Sequence, residues 1–60
     1  MTEFRCEPLN AEDFNKYERV FTTKAEAMEY ALSHKEIVCV VEYYVEDGEA
    51  FNIDSWYTGE

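Results

Sequence analysis

The clearest periodicity in the chain lies between Thr23 and Lys35. Met28, Ala31 and Leu32, with Ala25 or Lys24 one turn earlier, recur at helical spacing, while Glu26, Glu29 and Lys24 fall on or near the wet side. Thr23-Lys24-Ala25-Glu26 fits a capping box: the Thr hydroxyl accepts the amide three residues on, and Glu26 reaches back to the N–H of Thr23. The spacing predicts a helix that starts after Thr23 and ends near Ser33-His34-Lys35, where two basic side chains suit the negative end of the dipole.

Ile37 to Val45 is rich in β-branched and aromatic residues and reads as a strand; Asp47-Gly48 signals a turn, and Ala50 to Tyr57 reads as the returning strand. A two-residue Asp47-Gly48 loop in unbroken register opposes Glu42 to Ile53 and Val41 to Asp54, mixing charge and apolar groups on both faces. A three-residue loop, Glu46 to Gly48, instead opposes Val45 to Glu49, Tyr43 to Phe51 and Val41 to Ile53. That register gathers Ile37, Cys39, Val41, Tyr43, Val45, Phe51, Ile53 and Tyr57 on one face, broken only by Ser55, and the expectation is that the helix covers it. Val38, Val40, Glu42, Tyr44, Ala50, Asn52, Asp54 and Trp56 then share an outer face.

Upstream, Lys16 to Thr22 has enough β character for a strand leading into the helix cap, and Thr2 to Cys6 reads as a shorter one. Pro8 to Asn15 reads as a loop in which Asn10-Ala-Glu-Asp caps one short helical turn. The predicted fold is a single acidic α+β domain over residues 1–60, of (β)βαββ order, with one helix packed on a three- to four-stranded, mostly antiparallel sheet.

Composition agrees with a folded chain: of 60 residues, 47% are hydrophobic and 17% aromatic, with two Gly and one Pro. Acidic disordered tails lack such aromatics. Two cysteines, Cys6 and Cys39, are too few for the stapled framework of a small secreted domain, which leaves a Cys6–Cys39 disulfide as the minor alternative. No basic segment followed by an apolar run opens the chain, and the apolar run Ile37–Val41 is far too short to span a bilayer. The expectation is a cytoplasmic protein with reduced thiols.

Charge sharpens the picture. The formal net charge is −9, unevenly placed. Residues 1–35 carry seven acids against five bases; residues 36–60 carry seven acids (Glu36, Glu42, Glu46, Asp47, Glu49, Asp54, Glu60) and no Lys or Arg. Such a field opposes direct contact with nucleic acid or an anionic membrane and steers basic partners toward the C-terminal half.

Candidate chemistry is sparse. His34, the single histidine, falls at the predicted helix end among charged residues, where a role at the dipole outweighs one as general base. Cys39 falls on an apolar strand face, where burial makes a thiol inert, and neither cysteine has the spacing of a zinc site. Glu46, Asp47 and Glu49 around Gly48 lack the alternating ligands of a calcium loop. No phosphate-binding glycine loop, nucleophile elbow or catalytic carboxylate pair is present, so neither enzyme activity, nor a cofactor, nor a metal is expected.

The outer hairpin face is the strongest functional candidate. Val38, Val40, Tyr44 and Trp56 stand there among Glu42 and Asp54, with Glu46, Asp47 and Glu49 at the tip, an aromatic and acidic mixture suited to a protein interface. Its structural alternatives are cover by the N-terminal segment or use as one side of a homodimer. Carboxylates two residues apart on a strand are about 6.7 Å apart, so rows of acids can imitate a nucleic-acid backbone and occupy the basic groove of a nuclease, polymerase or CRISPR-type effector. In size, acidity and lack of catalytic motifs the chain resembles the small accessory proteins that bacteriophages encode to block host enzymes or defence systems. That resemblance implies an inhibitor or regulator of a larger nucleic-acid-handling protein. The alternatives are a self-associating domain and an antitoxin-like neutraliser.

Overall fold

Thr2-Glu-Phe-Arg-Cys-Glu-Pro8 alternates wet and apolar residues, the signature of a strand with one dry face. In the computed structural model, which describes residues 1–58, it forms strand β1 (Thr2–Pro8), longer than the sequence predicts. Glu60, counted above among the acids, lies outside the described residues. A single 3₁₀ turn (Ala11–Asp13) follows, as Asn10-Ala-Glu-Asp suggests, then a two-residue β2 (Val20–Phe21) in place of the longer strand expected from Lys16 to Thr22. Helix α1 (Lys24–Leu32), β3 (Ile37–Glu46) and β4 (Glu49–Tyr57) complete an α+β domain. The sheet order is β2-β1-β3-β4 and every pairing is antiparallel, so β1 is a central strand.

The helix begins where the capping signal falls. Thr23 is extended (φ −130°, ψ 150°), and its hydroxyl accepts the Glu26 amide at 3.3 Å. Glu26 completes the box differently from expectation, its carboxylate accepting the Thr23 hydroxyl at 2.9 Å. At the other end, the Ser33 hydroxyl donates to the carbonyls of Glu29 and Tyr30. The buried stripe is Ala27 and Ala31, flanked by half-buried Met28 and Tyr30, whereas Leu32 and Ala25 are exposed. Alanine at the contact lets the helix axis approach the sheet closely.

The structure corrects the face expected to form the core. Cys6 pairs with Val40 and Phe4 with Glu42, so the dry side of β1 shares a face with Val40 and Trp56. There the core assembles from Phe4, Cys6, Tyr17, Ala27, Ala31, Ile37 and Val40, with Phe21, Met28, Tyr30 and Trp56 packed around it. Phe4 and Trp56 stack at 6.4 Å, and the Cys6 thiol donates to the Ala27 carbonyl across the two layers. The opposite, open face carries the rows Glu7–Cys39–Tyr57, Arg5–Val41–Ser55 and Glu3–Tyr43–Asn52. Cys39 and Val41 are buried among these neighbours yet stand apart from the core cluster. Ile37 joins the core because the register shifts between Glu7 and Pro8, which pairs with Ile37 and leaves Val38 out of step.

The register differs too. Asp47 (φ 52°) and Gly48 (φ 79°) both have positive φ, giving the two-residue type I′ turn for which Asp-Gly is the favoured sequence. Glu46, Val45, Tyr44 and Tyr43 then oppose Glu49, Ala50, Phe51 and Asn52, not the partners of a three-residue loop. A bulge at Ile53 shifts the pairing, so Glu42 opposes Asp54 and Val40 opposes Trp56. An extra residue in one strand turns everything beyond it to the other side. Without it, Trp56 would leave the core.

Tyr17 anchors the loop before β2. Its hydroxyl donates to the Glu36 carboxylate, and its ring meets His34 edge-on at 5.4 Å. That bond holds the Glu36 carboxyl below its ordinary value and, together with burial, pushes the Tyr17 phenol up.

Two predictions test these assignments. Phe4→Ala should cost about 3–5 kcal/mol, most of the stability of so small a domain, whereas Tyr57→Ala on the open face should stay within about 0.5 kcal/mol. Urea denaturation of the two variants checks which face is the core. Glu36's depressed pKa contributes stability that is present above its ordinary 4.5 and lost as pH falls through the folded value. Tyr17's raised pKa contributes stability that is present below 10.0 and lost as pH rises through the folded value. Tyr17→Phe should therefore flatten both limbs of the urea midpoint plotted against pH.

Candidate protein-docking site

Beyond Trp56 the hairpin leaves the shelter of the helix. The side of β3 and β4 that carries Val40 and Trp56 in the core continues outward as three cross-strand pairs: Glu42–Asp54, Tyr44–Phe51 and Glu46–Glu49. An acid pair, an aromatic pair and a second acid pair thus share one surface. Tyr44 is 41% and Phe51 49% exposed. Glu46, Glu49 and Asp54 are exposed and Glu42 is half-buried. Asp47 projects from the turn itself. At the inner end of the patch the Lys24 ammonium lies 4.0 Å from the centre of the Trp56 ring, a cation–π contact where helix meets hairpin.

The backbone devices already described build this surface. The type I′ turn aligns Glu46 with Glu49 and Tyr44 with Phe51, and the bulge at Ile53 turns Asp54 to the side of Glu42. Like charges directly opposite one another on a sheet are destabilising. Among the described residues the one ion pair, Arg5–Glu3 at 2.7 Å, is on the open face, so no base of this chain relieves the two acid pairs by a salt bridge. Phe51 is the residue that sequence reasoning missed here. The Asp47-Gly48 signal, taken in its favoured two-residue form, opposes it to Tyr44.

The expected site residues divide into three groups. Glu42, Tyr44, Glu46, Glu49 and Asp54 share the patch, with Asp47 at its tip. Val40 is 0% exposed and Trp56 half-buried, both held beneath or beside the helix, so their availability to a partner is corrected. Half-buried Val38 lies at the far end of β3, its carbonyl accepting the Thr58 amide at 2.9 Å, about 26 Å along the strand from the tip.

Elsewhere the polar groups serve the fold. His34 Nδ1 bonds the Tyr30 carbonyl at 2.9 Å, and its ring packs 4.3 Å from that of Tyr30. Both thiols are free and buried, and burial pushes each up from its ordinary range. Because Cys6 faces the helix and Cys39 the open side, their Cβ vectors diverge and a disulfide is sterically barred. Among the described residues no group of His, Cys, Asp and Glu is placed to hold a metal ion. No helix of the described chain is long and apolar enough to cross a membrane. No protein-family model matches the chain, and neither curated proteins nor solved structures yielded a match.

The opposed acids predict a measurable cost to folding. Glu49→Lys and Asp54→Lys should each replace a repulsion with an attraction and raise stability by about 0.2–1 kcal/mol. Thermal melts check this as a rise of a few degrees at low salt, shrinking as added salt screens the pairs.

Proposed function

We propose that this chain is a cytoplasmic, non-catalytic inhibitor or regulator that docks the outer part of its C-terminal hairpin on a basic surface of a larger, nucleic-acid-handling protein. The supporting observation is the acid–aromatic–acid ladder formed by Glu42–Asp54, Tyr44–Phe51 and Glu46–Glu49 on a surface the helix leaves open. Acidic pairs that weaken the fold make physical sense when a partner's lysines and arginines neutralise them. The exposed aromatic pair supplies the apolar anchors that carry most of the binding energy in protein interfaces.

The spacing refines the idea of nucleic-acid mimicry. Glu42 and Glu46 are four residues apart, about 13 Å, with Tyr44 between them, so the acids do not form an unbroken row at about 6.7 Å. The ladder suits a partner groove that binds charge and stacked rings together, as single-strand-binding grooves do. The same surface is ill suited to self-association, because two copies meeting through it would bring their acids together.

Affinity capture with the intact chain, followed by titration of the captured protein, tests this. Glu42→Lys combined with Asp54→Lys should abolish capture at physiological salt, and Tyr44→Ala should weaken affinity at least tenfold while leaving the fold intact. Capture unchanged by the double charge reversal would sink the proposal.

A further inference from the structure

The two edges of the sheet are unequal. β2 offers two residues, whereas β4 runs for nine, Glu49–Tyr57, with neither Pro nor Lys, the residues that commonly blunt an exposed edge. The far side of the hairpin fixes which backbone groups of β4 face outward. The Val45 amide donates to the Met1 carbonyl at 2.6 Å, and the Val45 carbonyl accepts the Met1 amino group at 3.0 Å, so both polar groups of Val45 point toward β1. Bonded and non-bonded pairs alternate along an antiparallel ladder. Ala50, opposite Val45, therefore turns its N–H and C=O away from β3, and so does Asn52, two residues on and before the bulge. Both residues are exposed, and among the described residues no strand lies beside them.

Taking the ladder as a docking surface, as above, we propose that the stretch from Glu49 to Asn52 receives an extended, basic segment of the partner as a fifth, antiparallel strand. Backbone donors and acceptors spaced for a β-ladder select an extended chain, and the side chains to either side select its sequence. Neighbouring strands lie about 4.8 Å apart, so each side chain of an added strand stands next to one of β4 on the same face. On the ladder face, a Lys or Arg beside Glu49 extends the Glu46–Glu49 row and neutralises it, and an aromatic residue beside Phe51 extends the Tyr44–Phe51 row. On the opposite face, Ala50 and Asn52 fit small neutral neighbours. The occupant is therefore a segment alternating basic, neutral and aromatic residues. A second β4 is disfavoured in this place, because both charged residues of that strand, Glu49 and Asp54, are acidic.

A capped synthetic peptide, acetyl-Lys-Thr-Phe-Thr-Lys-amide, tests the proposal on the full chain, its pattern reading the same in both directions. At saturating peptide, hydrogen exchange followed by NMR should slow roughly tenfold at the Ala50 and Asn52 amides. The same peptide methylated on both Thr nitrogens keeps its charge but loses the donors that face β4, and should give no such protection. Ala50→Pro removes an outward N–H while leaving the β3–β4 bonds in place, and should weaken peptide affinity roughly tenfold, with circular dichroism checking that the variant is folded. Unprotected Ala50 and Asn52 amides at saturating peptide overturn the proposal, as does equal binding of the methylated peptide, which would show attraction by charge alone. Either result, found together with partner capture that still depends on Glu42 and Asp54, removes the added strand and leaves the ladder reading standing.

Discussion

The fold depends on the position of Thr2–Pro8 between β2 and β3. A two-stranded hairpin of β3 and β4 alone has no fixed inside, because both of its faces carry apolar groups. Pairing with β1 decides the matter: Phe4, Cys6 and Pro8 come up beside Val40 and Ile37, while Glu3, Arg5 and Glu7 go to the other side. Helix α1 can bury Ala27 and Ala31 against the first set and not against the second, since desolvating three charged side chains would cost more than the helix contact returns. The choice of face, the burial of Val40 and the place of Trp56 beside Phe4 all follow from that one strand.

On this scaffold, acidity is sorted by direction. β3 and β4 send their acids to the helix side, beyond the helix, where Glu42 meets Asp54 and Glu46 meets Glu49. A domain of this size has only a few kcal/mol of net stability, so two repulsive cross-strand pairs are a sizeable fraction of it. The cap at Thr23, the Tyr17–Glu36 bond and the Lys24–Trp56 contact offset part of that loss. Proteins commonly place such strain at surfaces they use, and relieving it tends to stabilise the fold at the expense of function.

Much of this was legible in the residues. Thr23 to Glu26 marked the helix start, Asn10 to Asp13 the short turn, and the β-branched run from Ile37 both the strand and its direction into Asp47-Gly48. The errors have specific physical origins. An unbroken register offered only a choice between a favoured turn and segregated faces, and the bulge at Ile53 reconciles the two by inserting one residue. Leu32 looked like core on hydrophobicity, but the close approach of helix to sheet uses Ala27 and Ala31 and leaves Leu32 outside. Apolar residues along β3 and β4 alone point to the wrong face, because the alternation of β1 decides which side the helix covers. The acidic half and most of the patch residues were visible in the sequence; the pairing of Phe51 with Tyr44 required the backbone.

The bulge has one more consequence. β4 is the long outer edge of the sheet, and among the described residues no strand pairs with its outer side. Such an edge is a template on which extended chains can assemble without limit. Ile53 breaks the template near its middle: the regular stretches to either side are short, locally twisted and out of phase with each other, so an incoming strand that fits one half misfits the next. The inserted residue that turns Asp54 toward Glu42 thus also shortens the regular edge that another extended strand could pair with.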